Sequence, residues 1–493
     1  MKCTLISGSL ACFAVAACAL KTPPTKEDIL TSIHAKVPGS FSASHGSGPI
    51  VPNWISSFND PELTNLVNYA VARNPDLTAA AAKVEASRHA VTVASGALYP
   101  RAGIKVMGQH EGREILNDGP QITPPDLGSS GEDNSGGAPS TDRGSDNTSI
   151  RWVGGLGFGA SWEADVWGRV GSKSAAAQAD ADAAEADYLY ARQSLAAAVA
   201  RAYISAIEAS QQAANAREAI GLYNDYLNLT GIRKEQGHAS DFEISQIKSR
   251  TAGAQDTLHA AEAARAKAIR GIEVITAQYP SGRLSTRDDF PRTPKTVPAG
   301  LPSQILERRP DLIAAERRFA ASFHRVEEAR TARLPRFALS AANGLGSAHL
   351  NGVGTLSSVT WTLAGGITQP IFFGGELKAM QDLRTAEQKA AAALYTSAAL
   401  HAFEDVEDAL ANEYYLRMRE EALGEMVKQS SDSVKYARMQ FDQGQMDMFQ
   451  ILRLVGENLA AKVELTQVQA SRLRERVNLH LALGGDFKGT SYK

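Results

Sequence analysis

Two kinds of periodicity alternate along the chain, and each occurs twice. Proline-free stretches at 169–236 and 376–443 carry apolar residues at helical spacing, with alanine abundant among them. At about 1.5 Å per residue each would run ~100 Å, and helices of that length without internal caps point to coiled-coil-like packing. In the last predicted helix Leu452, Val455, Leu459, Val463, Thr466, Ala470, Leu473, Val477 and Leu481 recur in steps of three and four. That spacing keeps one apolar stripe on one face of a nearly straight helix, although an ordinary bundle explains the stripe equally well. Helical pattern also runs from Trp54 to Arg88 and on to about Leu98, with Asp60-Pro61 as N-cap and first position.

Between the helical stretches lie segments of period two. In 152–162, Trp152, Leu156, Phe158 and Trp162 share one parity and Gly155, Gly157, Gly159 and Ser161 the other. Before Pro370, Val359, Trp361, Leu363 and Ile367 alternate with Ser358, Thr360, Thr362, Gly366 and Thr368. Strands are predicted at about 101–110, 150–162, 336–346 and 356–370, with the Gly-, Ser-, Asp- and Pro-rich segment 110–149 a loop. Large apolar residues outward and small or polar ones inward fit strands that face lipid. A half-buried sheet in a soluble sandwich fits the alternation alone equally well. An export signal and the shortage of other strands favour the membrane. Four strands cannot close a barrel, and an open edge is not viable in lipid. The chain is therefore expected to associate: eight strands for a dimer, twelve for a trimer, sixteen for a tetramer.

The pattern is an internal duplication. Residues 168–277 align on 375–484 at a constant offset of 207, so that Gly237-x4-Phe242-x-Ile244 falls on Gly444-x4-Phe449-x-Ile451. A second match at offset 235 pairs Asn74-Pro75-Asp76-Leu77 with Arg309-Pro310-Asp311-Leu312, and Pro100 with Pro335. The difference of 28 is an insertion in the first copy. Two copies of a long unit that cannot bury its own surface argue for an extended architecture rather than a globular enzyme. Gly237 and Gly444 each end a long helix in a C-cap position and mark the turns of two helical hairpins.

Composition narrows the classes. The formal net charge of −3 argues against nucleic acid as a partner. All three cysteines, Cys3, Cys12 and Cys18, stand in the first eighteen residues. Lys2 and the apolar run Leu5 to Ala17 form a secretory signal. Its end, Val15-Ala16-Ala17-Cys18, resembles a bacterial lipoprotein signal, in which Cys18 is acylated and becomes the N-terminus. Ordinary cleavage after Ala17 would instead leave a free thiol. Beyond the signal every apolar stretch is broken by charge well before eighteen residues, so a membrane can be crossed only with strands. The ten histidines are scattered without an HExxH, the Gly154–Gly159 run fails the GxGxxG spacing, and no Ser/His/Asp motif occurs. No catalytic residue, metal or cofactor is expected.

Several motifs together resemble one family, the TolC-type outer-membrane efflux proteins, and within it the OprM/NodT-like lipoproteins. They are Trp54-x3-Phe58-x-Asp60-Pro61-x-Leu63, the second-repeat start Leu306-Glu307-Arg308-Arg309-Pro310-Asp311-Leu312-x3-Glu316, and the strand-to-helix junctions Trp162-Glu163-Ala164-Asp165-Val166-Trp167-Gly168-Arg169 and Gln369-Pro370-Ile371-Phe372-Phe373-Gly374-Gly375. The resemblance implies an α+β membrane protein. In it a trimeric barrel of twelve strands, four per chain, continues into a long periplasmic α-helical barrel. The chain would divide into signal peptide 1–17, lipidated tether 18–53, first repeat 54–300, second repeat 301–484 and tail 485–493.

The implied function is the exit duct of a tripartite pump for small toxic compounds, with a periplasmic membrane-fusion adaptor and an inner-membrane RND transporter as partners. A type I protein-secretion duct is the alternative within transport. A lipid-anchored periplasmic coiled-coil scaffold is the alternative outside it, and would be almost purely helical. In the family the helical tips close the tunnel with acidic rings and ion pairs. Here Gln450 and Arg453 occupy positions that are often acidic, and Met446 one that can hold a pairing arginine, while Asp241 and Glu243 remain acidic at the first turn. The expectation is that Arg453 pairs across the tip with Asp241 or Glu243, the alternative being that it lies on a solvated face.

Overall fold

A computed structural model describes residues 20–32, 37–43, 53–114, 148–292, 300, 302–347 and 358–485. The signal peptide, Cys18, most of the 110–149 loop and the 486–493 tail lie outside the described residues. The described chain falls into two compact units. One is built from Val93–Gly171 and Glu328–Lys378, the other from Lys21–Thr92, Ser172–Glu327 and Ala379–Lys493.

The first unit holds one antiparallel sheet in the order β1 (Arg101–Glu114), β2 (Thr148–Ala164), β3 (Arg336–Ser347), β4 (Ser358–Thr368). The β1/β2 ladder runs on to the pair Glu114↔Thr148, beyond the expected strand end near 110. Main-chain pairing is indifferent to the polar side chains that suggested a loop there. The register aligns Val106, Leu156, Leu345 and Val359 across the sheet, and likewise Trp162 with Leu339. One face consequently carries the large apolar side chains, with Val106, Trp361 and Leu363 each at least three-quarters exposed. The other carries Gly157, Gly159, Ser161, Ser340, Thr360 and Thr362. Strands β1 and β4 are the sheet's two edges.

The junction after β2 explains its motif. The Asp165 carboxylate accepts the N–H groups of Val170 at 3.0 Å and Gly171 at 2.6 Å, capping the helix that follows. Glu163 holds Arg169 in a two-pronged pair at 2.8 and 3.0 Å, and the Trp167 indole donates to the Pro335 carbonyl at 2.8 Å.

The second unit is helical. Short helix α1 (Lys26–Ser32) precedes a 3-10 turn (Trp54–Phe58), α2 (Pro61–Arg73) and α3 (Pro75–Ser95). Two long hairpins follow, α4 (Arg169–Glu235) with α5 (Asp241–Ile275), and α8 (Glu376–Asp442) with α9 (Met448–Ala482); α6 (Pro302–Arg308) and α7 (Pro310–Thr331) stand between them. The hairpin helices have 67 and 35 residues in both copies, with boundaries that coincide at the offset of 207.

Two expectations need correction. The helix read from Trp54 to Leu98 is interrupted at Asn59 and Asn74. Pro75 disfavours helical geometry at Asn74, whose ψ of 126° is extended. The Asn74 side chain then caps α3 through the N–H groups of Asp76 at 2.9 Å and Leu77 at 3.1 Å, and donates to the Ile275 carbonyl at 2.9 Å. The 18–53 segment is no free tether where it is described. Ile29, Leu30 and Phe41 are buried with Ile305, Leu312, Phe319 and Val406. Glu407 accepts the N–H groups of Ser42 and Ala43 at 2.7 and 2.9 Å, and Lys26 pairs with Glu316 at 3.6 Å. Three apolar anchors and these polar contacts dock a segment whose Pro- and Ser-rich composition reads as extended.

The main core joins Trp54, Phe58, Leu63, Tyr203, Ile207, Ile272 and Val477 from both repeats. His480 lies fully buried beside it, stacked on Trp54 with ring centroids 5.6 Å apart. Neither ring nitrogen has a hydrogen-bond partner. Burial, and then the neighbouring Arg476 cation, push its pKa down from 6.5 to about 3. The unfolded chain takes up this proton near 6.5 while the folded chain refuses it until about 3. The stabilisation is therefore complete above the upper value and lost as pH falls toward the lower, by up to about 1.4 kcal/mol per pH unit. Chemical unfolding between pH 6.5 and 4 should show His480→Phe losing less stability on acidification than the wild type. Equal slopes would mean the buried ring does not govern this window.

Candidate functional site

The two hairpin turns, brought together in the helical unit, are the candidate site. Gly237 and Gly444 have φ of 77° and 72°, left-handed values that a residue with a Cβ adopts only under strain. Each closes a paired cap. The N–H of Gly237 bonds Lys234 O at 2.9 Å and that of His238 bonds Arg233 O at 2.8 Å; Gly444 and Gln445 bond Phe441 O and Gln440 O at 2.9 and 2.8 Å. The descending helix then restarts on a side-chain cap. Ser240 and Glu243 form a reciprocal capping box on α5, and Asp447 accepts the Gln450 N–H at 2.8 Å on α9.

The expected pairing of Arg453 with Asp241 or Glu243 is replaced within the chain by local contacts. Arg453 pairs with Glu457, one helical turn on, at 2.9 Å. Asp241 pairs with Lys234 of its own hairpin. Glu243 accepts the Ser240 N–H at 2.7 Å. A partner at i+4 costs little side-chain ordering, and a carboxylate at the third helical position is best used on the orphan N–H groups of its own terminus. Met446 packs against the apolar cluster beneath the turns instead of bearing a charge.

Other contacts join the hairpins at this end. The rings of Phe242 and Phe449, equivalent at the 207 offset, lie 5.4 Å apart. Arg233 of α4 donates to the Phe441 carbonyl of α8 at 2.7 Å, with its guanidinium 3.8 Å above the Phe441 ring centroid. Below them Tyr223, Tyr226, Ile247, Phe441, Ile451 and Leu452 make one cluster from all four long helices. Both phenylalanines stand in the repeated Gly-x4-Phe-x-Ile motif, so the signal was present, but equivalence in a repeat does not disclose contact. Further along, α4, α5 and α9 border an open groove of about 580 Å³ lined by Asn215, Tyr223, Gln246, Arg250, Gly253 and Gly456.

Comparison with known proteins agrees with this architecture. Residues 66–278 and 301–485 match the family model described as outer membrane efflux protein. The chain is 28% identical over 484 residues to the pyoverdine export outer membrane protein OpmQ of Pseudomonas putida, covering 96% of both chains. It is 29% identical to the toluene efflux pump outer membrane protein TtgF of the same species, covering 89% of this chain and 86% of that one. The solved outer-membrane channel OprN superposes with a TM-score of 0.82 at 23% identity, covering 95% of this chain and 98% of that one.

Proposed function

Because the chain belongs to the outer membrane efflux protein family, we infer how this molecule serves as the exit duct of an efflux pump in the outer membrane. Three copies join the edge strands β1 and β4 head to tail and close a barrel of twelve strands. The observation that carries this is the sheet itself, which exposes a continuous face of large apolar side chains while both its edges lie open. Lipid covers the face, closure satisfies the edges, and the small and polar residues line the lumen. The helical hairpins of the three copies form the periplasmic tunnel, with the tips at Gly237 and Gly444 as its gate and Cys18 as the lipid anchor.

The tips and the groove beside Arg250 meet the periplasmic adaptor, which links the duct to an inner-membrane RND transporter. The cargo is a class of small toxic or secreted compounds. Relatives named for pyoverdine and toluene export show how far cargo varies across one architecture, and the choice of cargo belongs to the transporter. Crosslinking in cells from cysteines placed beside Gly237 and Gly444 tests this reading. Capture of an adaptor with an RND transporter is expected. Capture of an ABC transporter would move the duct to protein secretion, and trimers whose tips meet no adaptor would overturn the tripartite assignment.

A further inference from the structure

The two strand-to-helix junctions stand at equivalent places in the duplication but are built from different chemistry. Counting back from the aligned pair Gly168 and Gly375, Asp165 falls on Phe372 and Val166 on Phe373; counting forward, Gly171 falls on Lys378. In the first copy the charges are used internally, Asp165 capping α4 and Glu163 holding Arg169. In the second copy the place of the capping carboxylate is taken by an aromatic ring in the open. Ile371, Phe372 and Phe373 are 93%, 86% and 55% exposed. Consecutive large apolar side chains left in water are unfavourable unless an apolar partner covers them.

The same residues wall a cavity. A pocket of about 280 Å³ lies wholly within the sheet unit and is bounded by Ile371, Phe372, Phe373, Gln369, Arg333 and Lys378. Gln369 ties its two sides together, donating to the Arg333 carbonyl at 3.1 Å and to the Pro370 carbonyl at 2.9 Å. The lining holds two cations and no carboxylate, for Glu376, the only acidic residue of 369–378, is not part of it.

Its place at the end of the sheet identifies what fits. Strand β4 ends at Thr368, and Trp361, Leu363 and Ile367 on its apolar face are each at least two-thirds exposed. The pocket begins at the next residue, so the apolar surface continues along the chain into Ile371 and Phe372 and meets Arg333 and Lys378 there. An apolar surface that ends in a pair of cations is the complement of an anionic lipid, with an acyl chain along the apolar part and a phosphate between guanidinium and ammonium. A soluble anion would leave the rings uncovered, and a neutral hydrocarbon would make no use of the cations.

We propose that this junction binds an anionic membrane phospholipid, its phosphate held by Arg333 and Lys378 and an acyl chain laid over Ile371 and Phe372. The proposal rests on the duct reading in needing the sheet to face lipid. The full chain is reconstituted in nanodiscs of phosphatidylethanolamine and phosphatidylglycerol, and the lipid it keeps on release is identified by native mass spectrometry. Retained phosphatidylglycerol should exceed its share of the bilayer by on the order of tenfold, the effect of two cations beside an anionic headgroup. Arg333→Gln/Lys378→Gln should abolish the excess, and so should Phe372→Asp, which installs the carboxylate that the first junction carries. Lys105→Gln should leave it unchanged, since that exposed cation stands opposite Gly157 on the other face of the sheet. A photocrosslinking phenylalanine analogue at Ile371 should capture lipid. Capture of another protein chain there, equal retention of both lipids, or an excess that survives the variants overturns the site. A chain that fails to enter the bilayer overturns the duct reading, whereas one that inserts without lipid preference overturns this site alone.

Discussion

Glu413→Ala will destabilise the helical unit by about 3–5 kcal/mol, the range for a buried charge stripped of its partner. Glu413 is 8% exposed on α8 and faces Arg476 of α9, 1% exposed, with which it forms a short ion pair. Its same oxygen accepts Arg472 at 3.2 Å, and Arg472 also reaches Glu420 at 2.7 Å. Burial pulls the Arg476 pKa down and Glu413 is what opposes that pull. Without the carboxylate the guanidinium loses the charge that offsets its burial between packed helices. A double change, Glu413→Leu with Arg476→Met, removes both charges, keeps apolar volume, and leaves Arg472 its pair with Glu420. It should be less destabilised than Glu413→Ala, since replacing a whole buried pair by packed hydrophobic groups is often neutral. Urea unfolding followed by helical circular dichroism orders the variants. A double variant weaker than the single would show that the pair supplies net stabilisation beyond compensating charge.

The position of that network bears on how far the chain can be read from its residues. Long periodic elements are legible because each turn of helix repeats the same evidence. Gly168 with Gly237, and Gly375 with Gly444, punctuate the proline-free runs and give the boundaries of α4 and α8 to within one residue, and parity on β2 and β4 places the apolar face of the sheet. Illegible elements are those decided by a few side chains. Pro75 acts on one residue to split two helices, and Ile29, Leu30 and Phe41, with a few polar contacts to Glu407 and Glu316, dock the N-terminal segment. Within one chain Arg453 takes a local partner, Glu457, for the same reason. A long flexible side chain has many candidate partners in sequence, and the one on its own helix wins on ordering entropy. Composition is a poor guide wherever one or two contacts outweigh an average.

With the turns as the proposed gate, the local pairing of charges there leaves aromatic contacts to hold it shut. Phe242→Ala and Phe449→Ala should each raise the open population of the duct severalfold, because an aromatic pair contributes about 0.5–1.5 kcal/mol. Arg233→Met should do more. It loses a charge-assisted hydrogen bond to Phe441 O at 2.7 Å and the cation over that ring, together worth about 2–4 kcal/mol. Combined with Phe449→Ala, a shift on the order of a hundredfold follows if the terms add. Single-channel conductance in bilayers and vancomycin sensitivity of cells with equal trimer content would read it. Arg453→Glu should leave both close to wild type, since it disturbs only an exposed pair with Glu457 worth about 0–1 kcal/mol. Salt separates the two chemistries: at ~1 M an exposed ion-pair lock is screened and opens, whereas ring contacts are untouched. Closure that weakens steeply with salt and yields to Arg453→Glu, while the phenylalanine variants stay shut, would return the gate to ion pairs formed between copies.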